Sequence, residues 1–317
     1  MISAGTGWSA TTPLWYTLQA DNQYLHVGIA KEGEYLPIIA EKPADRLKKR
    51  LAQRKRFKAY GKGEFKFSNR KFNHNGRIPE VKKDLFLTQE EIDDYTSPPL
   101  SLEKYFNHYK RLWETLQENN CPYQAVGDFS NANAWMPEEF CRKLVERLSE
   151  YFDVKAIMIV RDPIRRLWSE VSGSWNYKDQ PDGGTEEEQY KLFYDYIKRS
   201  NQSNYFSIID KWEKICPLHV IIMEQLWEGD EQEREKQRLS DFLDYDIKNI
   251  HENAYCPDRG PYAPEYLGLE DQWRSDKYWL QDELYYRVKP FFPVYQQWVD
   301  KYGSLPLYWG KPYTYEV

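Results

Sequence analysis

The sequence predicts an α/β domain in which a parallel central sheet is flanked by helices on both faces. Segments with the apolar pattern of strands alternate with helix-like segments from residue 1 to residue 223, as is typical of a parallel sheet with crossover helices. Residues 156–160 are all apolar, which indicates a strand covered on both faces. The chain of 317 residues is long enough for one such domain with a sizeable core.

The N-terminal part is predicted as strand, turn, helix and strand. Residues 1–4 form a short apolar strand that a glycine-containing turn follows. Residues 14–18 have the pattern of a helix, and residues 26–30 that of a second strand. Lys31 and Glu32 come directly after this strand, so we expect both side chains at its carboxyl end.

The later elements continue the alternation. The spacing of apolar residues predicts helices at 102–117, 137–151 and 205–215, a helix that begins at residue 163, and strands at 123–126, 156–160 and 219–223. The remainder, from about residue 230 to residue 317, is mainly helical. We expect residues 1–317 to form a single domain.

A basic and polar insertion is predicted at about residues 41–100. Between residues 42 and 58, nine residues are Lys or Arg, and a stretch rich in Gly and Asn follows. Side chains such as Lys55 could hold an anionic acceptor, for example a sulfated or uronic-acid glycan. The alternative is a solvated helix face.

Composition limits the classes of partner. The net charge of −6 provides no general attraction to nucleic acid or acidic membranes, so an anionic ligand must be held by local basic clusters. No apolar run is long enough to span a membrane. The four cysteines are widely spaced without a CxxC pair, and no His/Cys/Asp cluster has metal-ligand spacing. We expect reduced thiols, no metal and a cytoplasmic location.

The first strand-to-helix turn is a candidate phosphate-binding loop. Its small residues would let the backbone surround a phosphate, and its hydroxyl groups would add donors. The residues concerned are Gly5, Thr6, Gly7, Trp8, Ser9, Ala10, Thr11 and Thr12. A plain structural turn is the alternative. The loop lacks the Gly-Lys-Ser/Thr of nucleotide triphosphatases, which argues against a kinase or ATPase.

A second candidate site follows the buried strand 156–160. Arg161 ends this strand, Asp162 can cap the next helix, and a proline suits that helix's first turn. Arg166 and Ser169 are three residues apart and would share one helix face. Together with Arg161 they offer guanidinium and hydroxyl donors for a phosphate. The alternative is an ordinary capped helix with solvated arginines.

These two segments resemble elements of the sulfotransferases that use 3'-phosphoadenosine 5'-phosphosulfate (PAPS). The RDPxxRxxS pattern that begins at Arg161 resembles their 3'-phosphate-binding element, and GTGWSATT resembles their 5'-phosphosulfate loop. Their order along the chain also matches. The resemblance implies a P-loop-nucleotide-kinase-like sulfotransferase fold, PAPS as donor and PAP, the desulfated nucleotide, as product.

Further segments extend the resemblance, most closely to the heparan-sulfate and carbohydrate branch. GIAKE resembles the second-strand element of that branch, which implies Glu32 as general base and Lys31 as its electrostatic partner. VGDFS resembles the third-strand element that lines the acceptor site, which implies that Asp128 and Ser130 bind the acceptor. The later helix with Tyr205 and the strand that ends in an acidic turn also fit.

Other assignments follow less directly. Arg259 and Gly260 are candidates for the C-terminal loop that closes over the nucleotide, and His26 is an alternative base. Trp8 stands where most members of the family have a basic residue, so the resemblance assigns no leaving-group lysine. The aromatic content of 16% and the branch favour a glycan acceptor, but a lipid, a tyrosine or a small alcohol stays open. The alternative functions are a P-loop-like small-molecule kinase and a non-catalytic polyanion-binding module.

Overall fold

The structure is a computed structural model, and it describes residues 1–5, 7, 9–28, 35–40, 94–95, 100–163, 166, 205–227, 231–251, 292–306 and 309. Within these ranges the protein has a mixed α/β architecture in which short parallel strands pack against helices. The predicted α/β class is therefore confirmed. Most of the predicted insertion at 41–100 lies outside the described residues; of the three residues that are described, Asp94 is exposed, and Tyr95 and Leu100 are buried in the core.

The described strands and helices alternate along the chain. The strands are β1 (Ile2–Ser3), β2 (Leu25–His26), β3 (Ala125–Val126), β4 (Ala156–Val160) and β5 (Leu218–Ile222). The helices are α1 (Thr11–Tyr16), α2 (Tyr35–Ala40), α3 (Leu102–Glu118), α4 (Glu138–Ser149), α5 (Tyr205–Glu213), α6 (Met223–Trp227), α7 (Gln232–Leu243) and α8 (Phe292–Tyr302). A π-helical turn at Thr17–Asp21 extends α1, and a 3₁₀ helix at Asn131–Trp135 follows β3.

All strand pairs in the described residues are parallel. One sheet has the order β1-β4-β5, and β2 pairs with β3 in a second. A bridge between Ile2 and Asp128 joins the two, with Ser3 N–H donating to the Asp128 carbonyl at 2.8 Å. The combined order is β2-β3-β1-β4-β5. A Cβ atom at Gly127 would collide with the Met1 carbonyl oxygen, so this junction requires glycine.

The core has two parts, which lie on opposite faces of β4. Side chains alternate along a strand, and accordingly Met158 and Val160 belong to one cluster while Ile157 and Ile159 belong to the other. The first cluster includes residues of α2, α3, α4, α5 and α8, and the second includes residues of α1 and α7. Helices therefore cover both faces of this strand, which explains why all five of its residues are buried.

Helix α3 illustrates how local sequence sets an element's start. The Ser101 side chain accepts a hydrogen bond from Lys104 N–H at 3.1 Å, and Glu103 lies in the first turn. A serine cap satisfies a helical N–H group that has no partner within the helix, and an acidic residue near the N-terminus favours the helix dipole. The helix then directs Tyr105, His108 and Tyr109 into the core.

Three predicted boundaries differ from the structure: α1 begins at Thr11 and not at residue 14, β2 ends early, and β5 ends one residue earlier than predicted. Strand β2 ends at His26 and does not continue through Val27 and Gly28, because Gly28 adopts φ +73° and turns the chain. Met223 begins α6 and does not end β5. The predicted helices at 102–117 and 137–151 and the strand at 156–160 are confirmed to within two residues.

The described ranges also bear on two other expectations. In these ranges no helix combines the length and apolar character that a bilayer span needs. Cys121, Cys141 and Cys216 are free thiols, while Cys256 lies outside the described residues. Burial raises the pKa of the Cys141 and Cys216 thiols to about 11, so both stay protonated and unreactive at neutral pH.

Candidate functional site

The candidate site lies at the carboxyl ends of the parallel strands. In the strand order, the strand that follows β1 along the chain, β2, lies on one side of β1. The strand that follows β4, which is β5, lies in the opposite direction. The connections therefore diverge between β1 and β4. In open α/β sheets, such a point leaves a crevice at the strands' carboxyl ends where ligands bind. The two predicted phosphate-binding segments directly follow these two strands.

The loop after β1 is held tightly against β4. A Cβ atom at Gly5 would lie 3.1 Å from the Ile159 backbone nitrogen, so glycine allows the close approach. Ser9 and Thr11 are buried, and Thr11 Oγ1 donates to Asn131 Oδ1 at 2.8 Å. This bond fixes the start of α1 against the 3₁₀ helix after β3. Thr12, the next residue, is half-buried.

Ala10 has a strained backbone at the start of α1. Its φ of 60° and ψ of 29° place it in the left-handed region, which costs a non-glycine residue roughly 1 kcal/mol or more. The Ala10 carbonyl nevertheless accepts the Leu14 N–H at 3.2 Å and so begins the helix. Strain of this kind persists where the surroundings fix it, and it clusters at ligand sites.

The turn after β4 contains two buried arginines. Arg161 is 6% exposed and Arg166 has no exposed surface. Arg166 Nη1 donates to the Gly7 carbonyl oxygen at 3.3 Å, which joins the two predicted phosphate-binding segments directly. The alternative interpretation, in which these arginines are solvated on a helix face, is wrong for both. Burial of a guanidinium group is costly unless acceptors or anions surround it.

A buried polar network holds the turn after β4. Glu224, at the start of α6, accepts the Asp162 N–H at Oε1 (2.9 Å) and the Trp309 Nε1–H at Oε2 (3.1 Å). Tyr205 donates to the Arg161 carbonyl at 2.8 Å. The Tyr295 hydroxyl donates a hydrogen bond to Asp162 Oδ2 at 3.0 Å. The turn is thus fixed from α5, α6, α8 and the segment beyond α8.

Sequence reasoning assigned no role to Tyr295 and Trp309, and it placed Glu224 only in the acidic turn after the last strand. For Glu224 a signal existed, because a charged residue directly after a buried strand lies at the ligand-binding edge of a parallel sheet. Tyr295 and Trp309 gave none, since their contacts with the turn depend on how the C-terminal helix docks.

The residues after β3 form a compact buried corner. Asp128 is 3% exposed, and its carboxylate accepts the Tyr105 hydroxyl at 3.2 Å and the Ser130 N–H at 2.8 Å. Burial raises the pKa of Asp128, while the bonds from Ser130 and Tyr105 oppose the rise. Asp128 and Ser130, two of the predicted acceptor-binding residues, therefore lie at the carboxyl edge of the sheet. Their role toward the acceptor stays a prediction.

A histidine and tyrosine cluster lies beside β2. The His108 ring stacks on Tyr95 with centroids 4.0 Å apart and packs against Gly28. His26, the alternative base, accepts the Gly28 N–H at Nδ1 at 3.0 Å, and its ring meets Tyr123 edge-on. The Nδ1 atom is therefore used to fix the turn after β2.

The buried His108 ring makes stability depend on pH. Burial, together with the nearby His26, lowers the pKa of His108 from 6.5 to about 3. The unfolded chain binds this proton more readily, so the contribution to stability is present above pH 6.5 and is lost as pH falls toward 3. We expect His108→Phe, which keeps a flat ring against Tyr95, to reduce the slope of unfolding free energy by about 1.4 kcal/mol per pH unit in this window.

Urea unfolding at several pH values would measure this slope. His219, whose pKa burial lowers to about 4, contributes in the same direction and accounts for part of the slope that remains in the variant. An unchanged slope in His108→Phe would show that His108 is charged in the folded protein at acid pH.

No protein-family model, no curated protein and no solved structure matches this chain. Function therefore has to be inferred from the residues at the carboxyl edge of the sheet.

Several predicted site residues lie outside the described residues. They are Trp8, Lys31, Glu32, Lys55, Ser169, Arg259 and Gly260. Of the others, Gly7, Ser9, Ala10, Thr11 and Thr12 follow β1 and Arg161 follows the adjacent strand β4, and the two segments meet where Arg166 bonds to Gly7. Within the described ranges, no group of three or more His, Cys, Asp or Glu side chains could hold a metal ion.

Proposed function

We propose that the chain is a PAPS-dependent sulfotransferase with a P-loop-nucleotide-kinase-like sulfotransferase fold. One observation carries the proposal: the segments that resemble the 5'-phosphosulfate loop and the 3'-phosphate element follow adjacent parallel strands and are joined by the bond from Arg166 to Gly7. A nucleotide with phosphates at both positions could contact both segments at once. The order β2-β3-β1-β4-β5, with its divergence between β1 and β4, also supports it.

The proposed reaction is an in-line transfer of a sulfuryl group. Glu32 takes the proton from an acceptor hydroxyl or amine, and that acceptor atom forms a bond to sulfur. The bond between sulfur and the bridging phosphate oxygen breaks, and PAP leaves with the electron pair. Backbone N–H groups of the loop that contains Gly7 and Ser9 stabilise the charge on the transferred group, and Lys31 supports the base. No metal takes part in this scheme.

A glycan is the proposed acceptor. The carbohydrate branch of the resemblance favours it, as does the aromatic content of the chain. Asp128 and Ser130 are the proposed acceptor-side residues, and Lys55 of the basic segment is proposed to contact an anionic part of the glycan. Arg259 and Gly260 are proposed to cover the nucleotide.

Calorimetric titration with three nucleotides tests the donor site. PAP carries both phosphates, AMP lacks only the 3'-phosphate, and ATP tests the kinase alternative. We expect micromolar affinity for PAP and much weaker binding of ATP. Ser169→Ala removes a hydrogen bond to a charged group, which is worth about 1.5–3 kcal/mol. The variant should therefore lower the affinity for PAP by about 10-fold to 100-fold and leave the affinity for AMP unchanged.

Ser172→Ala is the matched control, because it also removes one serine hydroxyl, three residues further along the chain. Arg161→Ala is less suitable, since Arg161 is buried with its Nε atom 4.0 Å from Glu224 Oε1 and the change would also disturb folding. If the unsubstituted protein binds no PAP, the sulfotransferase proposal is overturned. Salt-sensitive polyanion binding without PAP binding would favour the polyanion-binding module.

A further inference from the structure

One peptide group in the turn after β4 is held on both of its sides. Its carbonyl oxygen belongs to Arg161 and accepts the Tyr205 hydroxyl at 2.8 Å, while its N–H belongs to Asp162 and donates to Glu224 Oε1 at 2.9 Å. All of these groups are buried. Because a peptide group is planar, two opposing hydrogen bonds fix its orientation. That orientation sets the direction in which the Arg161 side chain leaves the backbone.

The C-terminal part of the chain supports this arrangement at two points. Trp309 donates its Nε1–H to the second oxygen of Glu224, Oε2, at 3.1 Å. Tyr295 of α8 donates its hydroxyl proton to Asp162 Oδ2 at 3.0 Å. The two rings meet edge-on with centroids 5.8 Å apart. The bond from Trp309 thus orients the Glu224 carboxylate, which holds the peptide group. The bond from Tyr295 holds the Asp162 side chain, which is next to that group.

We propose that Tyr295 and Trp309 are positioning residues for the recognition of the nucleotide's 3'-phosphate, acting through Asp162 and Glu224 on the turn that carries Arg161. This inference rests on the proposed function. Neither residue contacts the phosphate in this scheme. Both belong to a layer that keeps a phosphate-binding guanidinium in place, and a site loses affinity when such a supporting layer is loosened by about 1 Å.

The packing around Trp309 provides a test that separates hydrogen bonding from ring packing. Trp298 packs against Trp309 with ring centroids 4.6 Å apart and is equally buried, at 4% against 3% exposed. Trp309 donates to Glu224 and Tyr295 donates to Asp162, whereas none of the hydrogen bonds that hold the turn within the described residues comes from Trp298. Trp298→Phe is therefore a control for Trp309→Phe: the same substitution in the same cluster.

The experiment is titration of the full chain with PAP and with AMP. Trp309→Phe and Tyr295→Phe each keep an aromatic ring and remove one donor. We expect each variant to lower the affinity for PAP by about tenfold. The affinity for AMP should change less than about twofold, because AMP lacks the 3'-phosphate. Trp298→Phe should leave the ratio of PAP to AMP affinity unchanged. A melting temperature measured for every variant shows whether each is folded.

Four outcomes overturn the inference. Equal losses for PAP and AMP in Trp309→Phe would mean a general loss of structure, and an equal change of the ratio in Trp298→Phe would mean that ring packing is responsible. Unchanged PAP affinity in both Trp309→Phe and Tyr295→Phe, with PAP binding intact in the unsubstituted protein, would overturn the inference while the proposed function stands. Failure of the unsubstituted protein to bind PAP would overturn both.

Discussion

Replacing Glu224 with alanine is expected to lower the free energy of unfolding by about 3–5 kcal/mol. The Glu224 carboxylate has no exposed surface, and it accepts hydrogen bonds from Asp162 N–H and Trp309 Nε1–H while Arg161 Nε lies 4.0 Å away. The alanine variant would leave two buried donors without this acceptor and a buried cation without this counter-charge. Urea denaturation at neutral pH would measure the change.

Two comparisons make the result specific. Glu213→Ala removes a carboxylate that is 42% exposed and pairs with Lys301, which keeps a second partner in Asp210. That variant should stay within about 0.5 kcal/mol of the parent protein. Glu224→Gln keeps the shape and one acceptor, so we expect an intermediate loss. If Glu224→Ala is as stable as Glu213→Ala, the buried network does not hold the turn after β4.

Under the proposed function, replacing Glu32 with glutamine is expected to reduce the rate of sulfuryl transfer by about 100-fold to 10,000-fold, the range typical of a general base. An amide cannot take the acceptor proton, but its size matches the carboxylate. Because Glu32 has no proposed contact with the nucleotide, PAP affinity should be unchanged. The measurement is the appearance of PAP from PAPS with uronic-acid-containing oligosaccharides as acceptors.

Glu34→Gln is the control for this variant, because it makes the same chemical change two residues away. It should keep the parent rate. Equal rates in Glu32→Gln and Glu34→Gln would remove Glu32 from the catalytic role and direct attention to His26. A loss of PAP affinity in Glu32→Gln would instead place Glu32 at the nucleotide.

The alternation of strands and helices could be predicted because it depends on the local spacing of apolar residues. The apolar run Ala156–Val160 is a buried strand as predicted, and the spacing of apolar residues over α3 and α4 gave helices close to the observed bounds. The end of β2 was missed because two apolar residues, Ile29 and Ala30, follow Gly28 and extend the strand pattern. The pattern of apolar residues does not show where a single glycine lets the chain turn.

The arrangement of the candidate site could be predicted in part. Parallel strands place their carboxyl ends on one edge, so the residues after β1 and β4 were expected there. The burial of Arg166 and its bond to Gly7 could not be predicted. They depend on β1 and β4 being neighbours in the sheet, and the apolar pattern of a strand does not indicate which strand lies beside it. The roles of Tyr295 and Trp309 depend on how distant helices dock, which local sequence does not encode.

The bond between Arg166 and Gly7 joins residues that are 159 positions apart. During synthesis the loop after β1 therefore emerges long before its partner strand β4 and the arginine turn. Trp309 follows later still. Parallel pairings over such distances form slowly and leave unpaired strand edges exposed meanwhile. The candidate nucleotide crevice is consequently a late product of folding, and a ligand that binds it would favour completed chains over partly folded ones.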